Sequence, residues 1–366
     1  MKRIISFIYI KFIGLVRFVF KKTKKLLLSL ENNAKSNLDN KNNQIKPNLQ
    51  KRLCHYNHLF INHDGDIFPC CLKWMDKNMK VANLKDDNLI DDIKNFYHPC
   101  TCEKFELQKP TKDDKITIFD FNLEMSLLCQ AHCSMCCVDA PSYNANYDYY
   151  DKLTFLIEQF HPKEITVQGG EILVQKKSLE WIEYVKKNYN INFTIVTNAS
   201  VNIDILEKVE SLFSLIKVSF VGFQPETYKR IMGLDFNKTL NFVEELNRRK
   251  IVRLSLKYLV TPLNIHEANL FLDWAINIKP NDLIFFESSS MEYINFITSD
   301  NYWDKICERT GNEIKKILLK NKDIIKENSL KIMFSNDILR LYKLDINFNQ
   351  FLSENNLDRF ISKYLS

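Results

Sequence analysis

The stretch ITIFDFNLEMSLLCQAHCSMCC, residues 116–137, decides the fold of this chain. Its first residues are apolar and β-prone, which predicts a strand over 116–121 that delivers the chain into a short cysteine loop. Cys129, Cys133 and Cys136 supply three thiolates from that loop. Because a four-iron cluster held by three cysteines keeps one iron open for another ligand, the spacing predicts a reactive metal centre at the end of a strand.

Alternatives remain at this loop. Cys137 offers a second register for the third ligand. The same thiols would also suit a structural zinc site or buried cysteines. Nine of the ten cysteines fall into two tight groups, which indicates metal sites in a reducing cytosol rather than a disulfide framework.

A second motif follows about 35 residues later in EITVQGGEILV, residues 164–174. It predicts a strand that runs into Gly169, Gly170 and Glu171. Paired glycines let the backbone approach a ligand closely, and a neighbouring carboxylate can hold an ammonium group. A tight turn after a strand would explain the glycines but not their place downstream of the cysteine loop.

These motifs, in this order, resemble the radical S-adenosylmethionine (SAM) superfamily, and the resemblance covers residues 116–290. It implies a [4Fe–4S] cluster on the three cysteines that binds SAM and, when reduced, releases a 5′-deoxyadenosyl radical. Strand ends would contact SAM through Gly169, Gly170, Glu171, Asn198, Ser219 and Lys257. A solvated strand lysine is an equal interpretation of Lys257. The chain departs from the family pattern at three positions: Met135 for an aromatic residue, Ala199 for Gly and Val221 for Asp.

The family's fold is a partial (β/α)6 barrel, and the sequence alternates accordingly. Apolar β-prone runs lie at 116–121, 164–168, 193–197, 216–221, 254–260 and 283–287. Amphipathic helical stretches separate them, at 148–160, 175–189, 202–213, 238–249 and 266–278. Such alternation predicts a parallel sheet with the functional loops at the carboxyl ends of the strands. The expected boundaries are a basic helix 1–30, a linker 31–50, a cysteine-rich β-hairpin domain 51–112, a core 113–300 and a helical extension 301–366.

The second cysteine group surrounds LFINHDGDIFPCC, residues 59–71. Alternating apolar residues flank Asp64–Gly65, which predicts a hairpin with a type I′ turn, followed by a helix over 87–96. The segment resembles the SPASM or twitch-type auxiliary region of radical SAM enzymes, which normally follows the barrel and here precedes it. The resemblance implies an auxiliary [4Fe–4S] cluster. Its predicted ligands are Cys54, Cys70, Cys100 and Cys102, with Cys71 as a substitute. A structural zinc with the same ligands is the alternative, and His55 and His58 are further candidates for it.

The N-terminus, MKRIISFIYIKFIGLVRFVFKKTKK, is basic and apolar. As a membrane span, its apolar residues gain roughly 4–7 kcal/mol, whereas Lys11 and Arg17 cost about 5–7 kcal/mol near the bilayer centre. An amphipathic helix on an anionic membrane surface is therefore favoured, with a true span or a soluble docking helix as alternatives. The expected location is the cytoplasm, at the inner face of the membrane. Residues 31–50 are polar and predict a flexible tether.

The net charge of +6 is concentrated in the first 25 residues, so no nucleic-acid-binding surface is expected. The leading hypothesis is an oxidoreductase or modifying enzyme that abstracts hydrogen from a peptide, a protein or a sugar, including a lipid-linked glycan. SAM and a reductant such as flavodoxin or ferredoxin would be its partners. A non-catalytic iron–sulfur or zinc protein at the membrane is the alternative. Residues past 300 carry no evident reaction, and Cys307 is expected to be a buried apolar residue.

Overall fold

The structure is a computed structural model that describes residues 58–69, 77–95, 118, 120–138, 140, 148–288 and 301–345. Several expectations fall outside these residues. They are the helix 1–30, the linker 31–50, His55 and the cysteines Cys54, Cys70, Cys71, Cys100 and Cys102. Of the helices in the described part of the chain, none combines the length and the apolarity that crossing a bilayer requires.

In the described ranges, ten strands form one sheet with the order β10-β9-β8-β7-β6-β5-β4-β1-β2-β3. The strands are β1 (His58–Ile61), β2 (Asp66–Phe68), β3 (Ala82–Asn83), β4 (Asp120–Glu124), β5 (Glu164–Gln168), β6 (Asn192–Thr197), β7 (Leu215–Phe220), β8 (Arg253–Val260), β9 (Leu283–Ser288) and β10 (Lys331–Phe334). Pairing is parallel from β1 through β4 to β10 and antiparallel between β1, β2 and β3. The six parallel strands predicted for the core are all present, and the predicted α/β fold is confirmed.

Helices connect most of the parallel strands. They are α1 (Leu89–Asn95), α2 (Tyr150–Phe160), α3 (Lys176–Asn188), α4 (Leu206–Leu212), α5 (Pro225–Met232), α6 (Phe236–Arg249), α7 (Ala268–Ile278), α8 (Asn301–Lys320), α9 (Lys322–Glu327) and α10 (Asn336–Leu341). All five helices predicted between the core strands are observed, with ends shifted by a few residues. Cys307 on α8 is buried, as expected.

Alternation along the strands separates a helix-covered face from an open face. On β7, Ile216, Val218 and Phe220 are fully buried, and the Phe220 ring packs against Phe271 of α7. Between them, Lys217 and Ser219 are half-buried. Because successive side chains point to opposite faces, the half-buried side chains share the face turned away from the helices. We call this the open face.

The cysteine-rich hairpin is joined to the core rather than standing beside it. β1 pairs in parallel with β4, with Ile61 opposite Leu123, so the hairpin adds three strands to the edge of the parallel sheet. Leu59, Ile61 and Ile67 belong to the main hydrophobic core. The expected small hairpin domain is thus continuous with the barrel sheet, a connection that strand propensity alone does not predict.

Two local predictions were wrong. Within the described residues the first core strand is Asp120–Glu124, so it ends at Glu124 rather than at 121. The hairpin turn is not type I′, because Gly65 is its only residue with positive φ, at 81°. The side-chain oxygen of Asn62 instead accepts hydrogen bonds from the backbone N–H groups of Asp64 and Asp66, at 3.0 and 2.8 Å. This arrangement favours a three-residue loop that ends in a glycine bulge.

The C-terminal extension is not purely helical. Lys331–Phe334 form β10, which pairs in parallel with β9 at the outer edge of the sheet. The rings of Phe286 and Phe334 stack with centroids 4.6 Å apart. This four-residue strand lies between strongly charged helical segments and has too short a pattern to be distinguished by periodicity.

Candidate functional site

The three predicted cluster ligands lie together on the loop that follows β4. Burial and the proximity of the other thiols raise the pKa of Cys129 to about 11 and that of Cys133 to about 12, and Cys136 contributes to both shifts. Each thiolate would therefore be unfavourable in this loop without a cation to neutralise it. The donor set fits an iron–sulfur cluster, whose irons bind thiolates.

Among the described residues, no group of three His, Cys, Asp or Glu side chains surrounds one ion position. In an iron–sulfur cluster, each of the three cysteines would bind a different iron.

The structure also bears on the choice between Cys136 and Cys137. The backbone N–H of Cys136 donates to the carbonyl of Cys133 at 3.1 Å, and its half-buried thiol contributes to the raised pKa of both Cys129 and Cys133. Cys137 is exposed and contributes to neither pKa shift. The geometry therefore groups Cys136 with Cys129 and Cys133.

The cysteine loop rests on the C-terminal end of α5. The last carbonyl groups of a helix have no partner within the helix. Here the N–H groups of His132 and Ser134 donate to the carbonyls of Met232 and Ile231, at 2.8 and 2.9 Å. The loop is thereby held in place on a helix about 100 residues later in the sequence.

Gly169 and Gly170 are needed by the path of the cysteine loop itself. Both have positive φ, at 89° and 53°. A Cβ atom on Gly169 would lie 2.3 Å from Cγ of Glu124, and one on Gly170 would lie 2.2 Å from the carbonyl oxygen of Leu128. The sequence suggested that these glycines let the backbone approach a ligand. The structure adds that they let the glycine turn approach the segment just before Cys129.

Gln175 is a buried residue that sequence reasoning missed. Its Nε2 lies 3.2 Å from the carbonyl oxygen of Ser126, 3.1 Å from that of Leu128 and 3.1 Å from that of Gly169. Its Oε1 accepts a hydrogen bond from the hydroxyl of Ser178 at 2.9 Å, which fixes the orientation of the amide. Gln175 therefore binds the cysteine loop and the glycine turn together.

Glu171 is fully buried, and its carboxylate is turned into the chain. Its Oε1 accepts from the N–H of Leu173 at 3.0 Å and from the hydroxyl of Thr197 at 2.7 Å. Its Oε2 accepts from the N–H of Asn198 at 2.8 Å. Burial raises the pKa of this carboxyl, whereas the three hydrogen bonds oppose the shift. In this arrangement the buried carboxylate joins the ends of β5 and β6.

Asn198 is linked to the cysteine loop through Gln130, a second residue that sequence reasoning missed. Nε2 of Gln130 donates to Oδ1 of Asn198 and to the carbonyl of Ser200, both at 3.2 Å. Oε1 of Gln130 lies 3.9 Å from Sγ of Cys129. The position of Gln130 inside the cysteine motif was the available signal, because a polar residue between metal ligands often orients them.

Ser219 and Lys257 are register partners on β7 and β8, so the structure brings them side by side on the open face. Nζ of Lys257 lies 3.3 Å from Oε2 of Glu287 on β9. The side chain of Lys257 is 28% exposed, which leaves it accessible to a ligand as well as to this acid. These two residues therefore form a polar pair apart from the hydrogen-bond network of the cysteine loop.

Comparison with known proteins is consistent with this site. Residues 123–275 match the family model described as the radical SAM superfamily, and residues 54–112 match that of an iron–sulfur cluster-binding domain, SPASM. A probable GTP 3′,8-cyclase of Methanocaldococcus jannaschii is 27% identical over 159 residues, which make up 41% of this chain and 48% of that protein. The chain thus spans about half the length of this curated relative.

Similar solved structures include Streptococcus suis SuiB bound to precursor peptide SuiA and SuiB bound to S-adenosylmethionine. Each is 13% identical to this chain with a TM-score of 0.44. The matches cover 62% of this chain, and 51% and 53% of the respective SuiB chains.

Proposed function

This chain is a radical SAM protein with a SPASM-type iron–sulfur region, and we propose that it is an enzyme that abstracts hydrogen from a carbon–hydrogen bond of its substrate. The [4Fe–4S] cluster supplies the reductive cleavage of SAM to the 5′-deoxyadenosyl radical. The observation that carries this proposal is the grouping of Cys129, Cys133 and Cys136 on one loop. That loop lies at the carboxyl end of β4, where this type of sheet gathers its functional groups.

The residues around the cluster have different proposed roles. Gln175 and Gln130 hold the cysteine loop in the shape that presents its thiols, as their hydrogen bonds indicate. Ser219 and Lys257 are proposed to meet the ribose and carboxylate of SAM, since they form a polar pair on the open face. The backbone of Gly169 and Gly170 is proposed to meet the SAM ammonium group.

Glu171 and Asn198 were predicted as SAM contacts and remain proposals in that role. Their hydrogen bonds support a contribution by positioning, because the Glu171 carboxylate and the Asn198 backbone join neighbouring strand ends. In that case SAM would contact the loop that Glu171 and Asn198 hold in place, and would not contact the buried carboxylate of Glu171 directly.

An auxiliary [4Fe–4S] cluster is proposed on Cys54, Cys70, Cys100 and Cys102, within the matched SPASM region. This second centre would take up an electron from the substrate or bind it.

The substrate class and the reductant extend the proposal beyond the site. A peptide or protein, or a sugar such as a lipid-linked glycan, is the proposed substrate, with flavodoxin or ferredoxin as the electron donor. Such chemistry would make the protein an oxidoreductase or a modifying enzyme. The basic apolar N-terminus supports a location at the inner face of the membrane. Sedimentation with anionic vesicles, but not with zwitterionic ones, would support that location, whereas equal recovery in both supernatants would exclude it.

The central experiment is anaerobic reconstitution of the full chain with iron and sulfide, followed by reduction with dithionite and measurement of 5′-deoxyadenosine. Replacing Cys129, Cys133 or Cys136 by Ala should abolish SAM cleavage while retaining the absorbance of an auxiliary cluster. Matched controls are Cys137→Ala, an exposed neighbour, and Cys307→Ala, a buried thiol on α8. Both should retain cleavage. A wild-type protein that binds only zinc and yields no 5′-deoxyadenosine would show that the non-catalytic alternative is right.

A further inference from the structure

The turn of the hairpin contacts the end of the first core strand through one carboxylate oxygen. Both the backbone N–H and the ring Nδ1 of His63 lie within hydrogen-bonding distance of Oε2 of Glu124, at 3.3 and 2.9 Å. The side chain of Glu124 is only 3% exposed, and that of His63 is 25% exposed. Two segments that are 61 residues apart in the sequence are therefore joined by a nearly buried hydrogen bond.

Local geometry presents His63 for this contact. The side-chain oxygen of Asn62 accepts hydrogen bonds from the backbone N–H groups of Asp64 and Asp66, and Gly65 provides the positive φ that closes the loop. On the other side, Gly169 leaves the space that Cγ of Glu124 occupies. The contact thus depends on the hairpin turn and on the glycine turn at once.

The surrounding acidic groups favour the protonated form of His63. The hydrogen bond to Glu124 raises the pKa of His63, and the nearby charges of Asp64 and Asp66 raise it further, against the effect of burial. Asp66 is itself paired with Lys80, at 2.5 Å. A nearly buried carboxylate requires such a partner, because leaving it unpaired costs much of its hydration energy.

Glu124 is directly connected to the cysteine loop. The next residue, Met125, donates its N–H to the carbonyl of Gln168 at 3.1 Å. The carbonyls of Ser126 and Leu128 then accept from Gln175, and Cys129 follows. Of the four residues between Glu124 and Cys129, Met125, Ser126 and Leu128 are therefore each held by neighbouring groups, so a displacement at Glu124 would change the path of a short, constrained segment.

We propose that His63 is a positioning residue that couples the SPASM-type hairpin to the SAM-cluster loop through Glu124. The hairpin then has a role besides carrying cysteines, because docking its turn fixes the start of the loop that presents Cys129. This role rests on the proposed function in one respect, because it takes the cysteine loop to be the one that holds the SAM cluster. The contact itself is independent of catalysis.

The test compares His63→Leu and His63→Gln in the reconstituted full-length protein, with His161→Asn as control. His161 is exposed at the end of α2 with φ of 48°, a conformation that Asn tolerates. Hydrogen exchange over residues 120–128 and the electron paramagnetic resonance of the reduced protein, with and without SAM, are measured. The His63→Leu substitution should accelerate hydrogen exchange over residues 120–128 by about tenfold or more, since the loss of a buried hydrogen bond to a carboxylate has that order of effect. The same substitution should also decrease the change that SAM induces in the electron paramagnetic resonance spectrum.

His63→Gln should lie close to wild type in both measurements, because its amide N–H can still donate to the carboxylate. If His63→Leu does not fold, Glu124→Gln is measured in its place, with the same expected increase in exchange. Unchanged exchange over 120–128 in the Leu variant would overturn the coupling. A wild type that cleaves no SAM, while the exchange difference is present, would instead contradict the proposed function alone.

Discussion

Nε2 of Gln175 lies 3.1 Å from the carbonyl oxygen of Leu128, the residue before the first cluster cysteine. The same nitrogen also reaches the carbonyls of Ser126 and Gly169. One buried amide group therefore determines how the end of β4, the glycine turn and the cysteine loop are arranged. The amide carries no net charge, and its importance here follows from its position between three carbonyl groups.

Gln175→Glu should destabilise the loop strongly, because a carboxylate oxygen would face three carbonyl oxygens. We expect a loss of about 2–3 kcal/mol in the free energy of unfolding and a lower iron content after reconstitution. Gln175→Met, which only removes the donors, should cost about 1–2 kcal/mol. Denaturant titration and iron analysis measure both effects. Gln224→Glu, on an exposed residue at the start of α5, is the control and should match wild type, so an equal loss there would contradict the assignment.

Gly170→Ala should be more damaging than Gly233→Ala, although both residues have positive φ. The methyl group at position 170 would meet the carbonyl oxygen of Leu128 at 2.2 Å, whereas the nearest atom at position 233 is 3.7 Å away. We expect Gly233→Ala to cost about 1–2 kcal/mol from backbone strain alone. Gly170→Ala should cost about 1–3 kcal/mol more and lower iron retention. Similar stabilities of the two variants in thermal unfolding would show that the loop path can adjust.

Glu171→Gln distinguishes a positioning role from direct binding of SAM. A glutamine at this position would offer its single carbonyl oxygen to three hydrogen-bond donors. Its NH2 group would face the donors that this oxygen does not reach. The metal-free protein should therefore lose about 1–3 kcal/mol of stability. Direct binding would instead weaken SAM affinity without changing the stability of the metal-free protein. Glu180→Gln, in the exposed pair with Lys176, is the control and should change neither quantity.

The sequence predicted the elements well and the contacts between them less well. Strand and helix positions follow from apolar periodicity, and the cysteine loop follows from spacing, so both were accessible. Gln175 and Gln130 were missed, because a polar residue in a turn has no periodic signal and gains its role from distant carbonyls. The pairing of the hairpin with β4 was missed for the same reason. It depends on a match between His58–Ile61 and Asp120–Glu124 that only the folded sheet creates.

The glycine turn is a case of a different kind. Gly169 and Gly170 were predicted as ligand contacts from their position after a strand, and their positive φ explains why glycine is required there. The prediction attributed them to ligand approach, whereas the structure also places Glu124 and Leu128 against them. Part of the physical cause of a motif can therefore lie in the chain itself.

The His63–Glu124 pair should make stability depend on pH in a defined direction. The folded-state pKa of His63 is raised, so its contribution is fully present below the unfolded value of about 6.5. It is lost as the pH rises through the folded pKa, because the folded state then releases a proton that had favoured folding. The difference in unfolding free energy between wild type and His63→Gln should therefore decrease as the pH is raised above about 6.5. Urea titrations of both proteins at several pH values measure it, with His161→Asn as the control. A difference that grows with pH would mean that the imidazole is neutral when it binds Glu124.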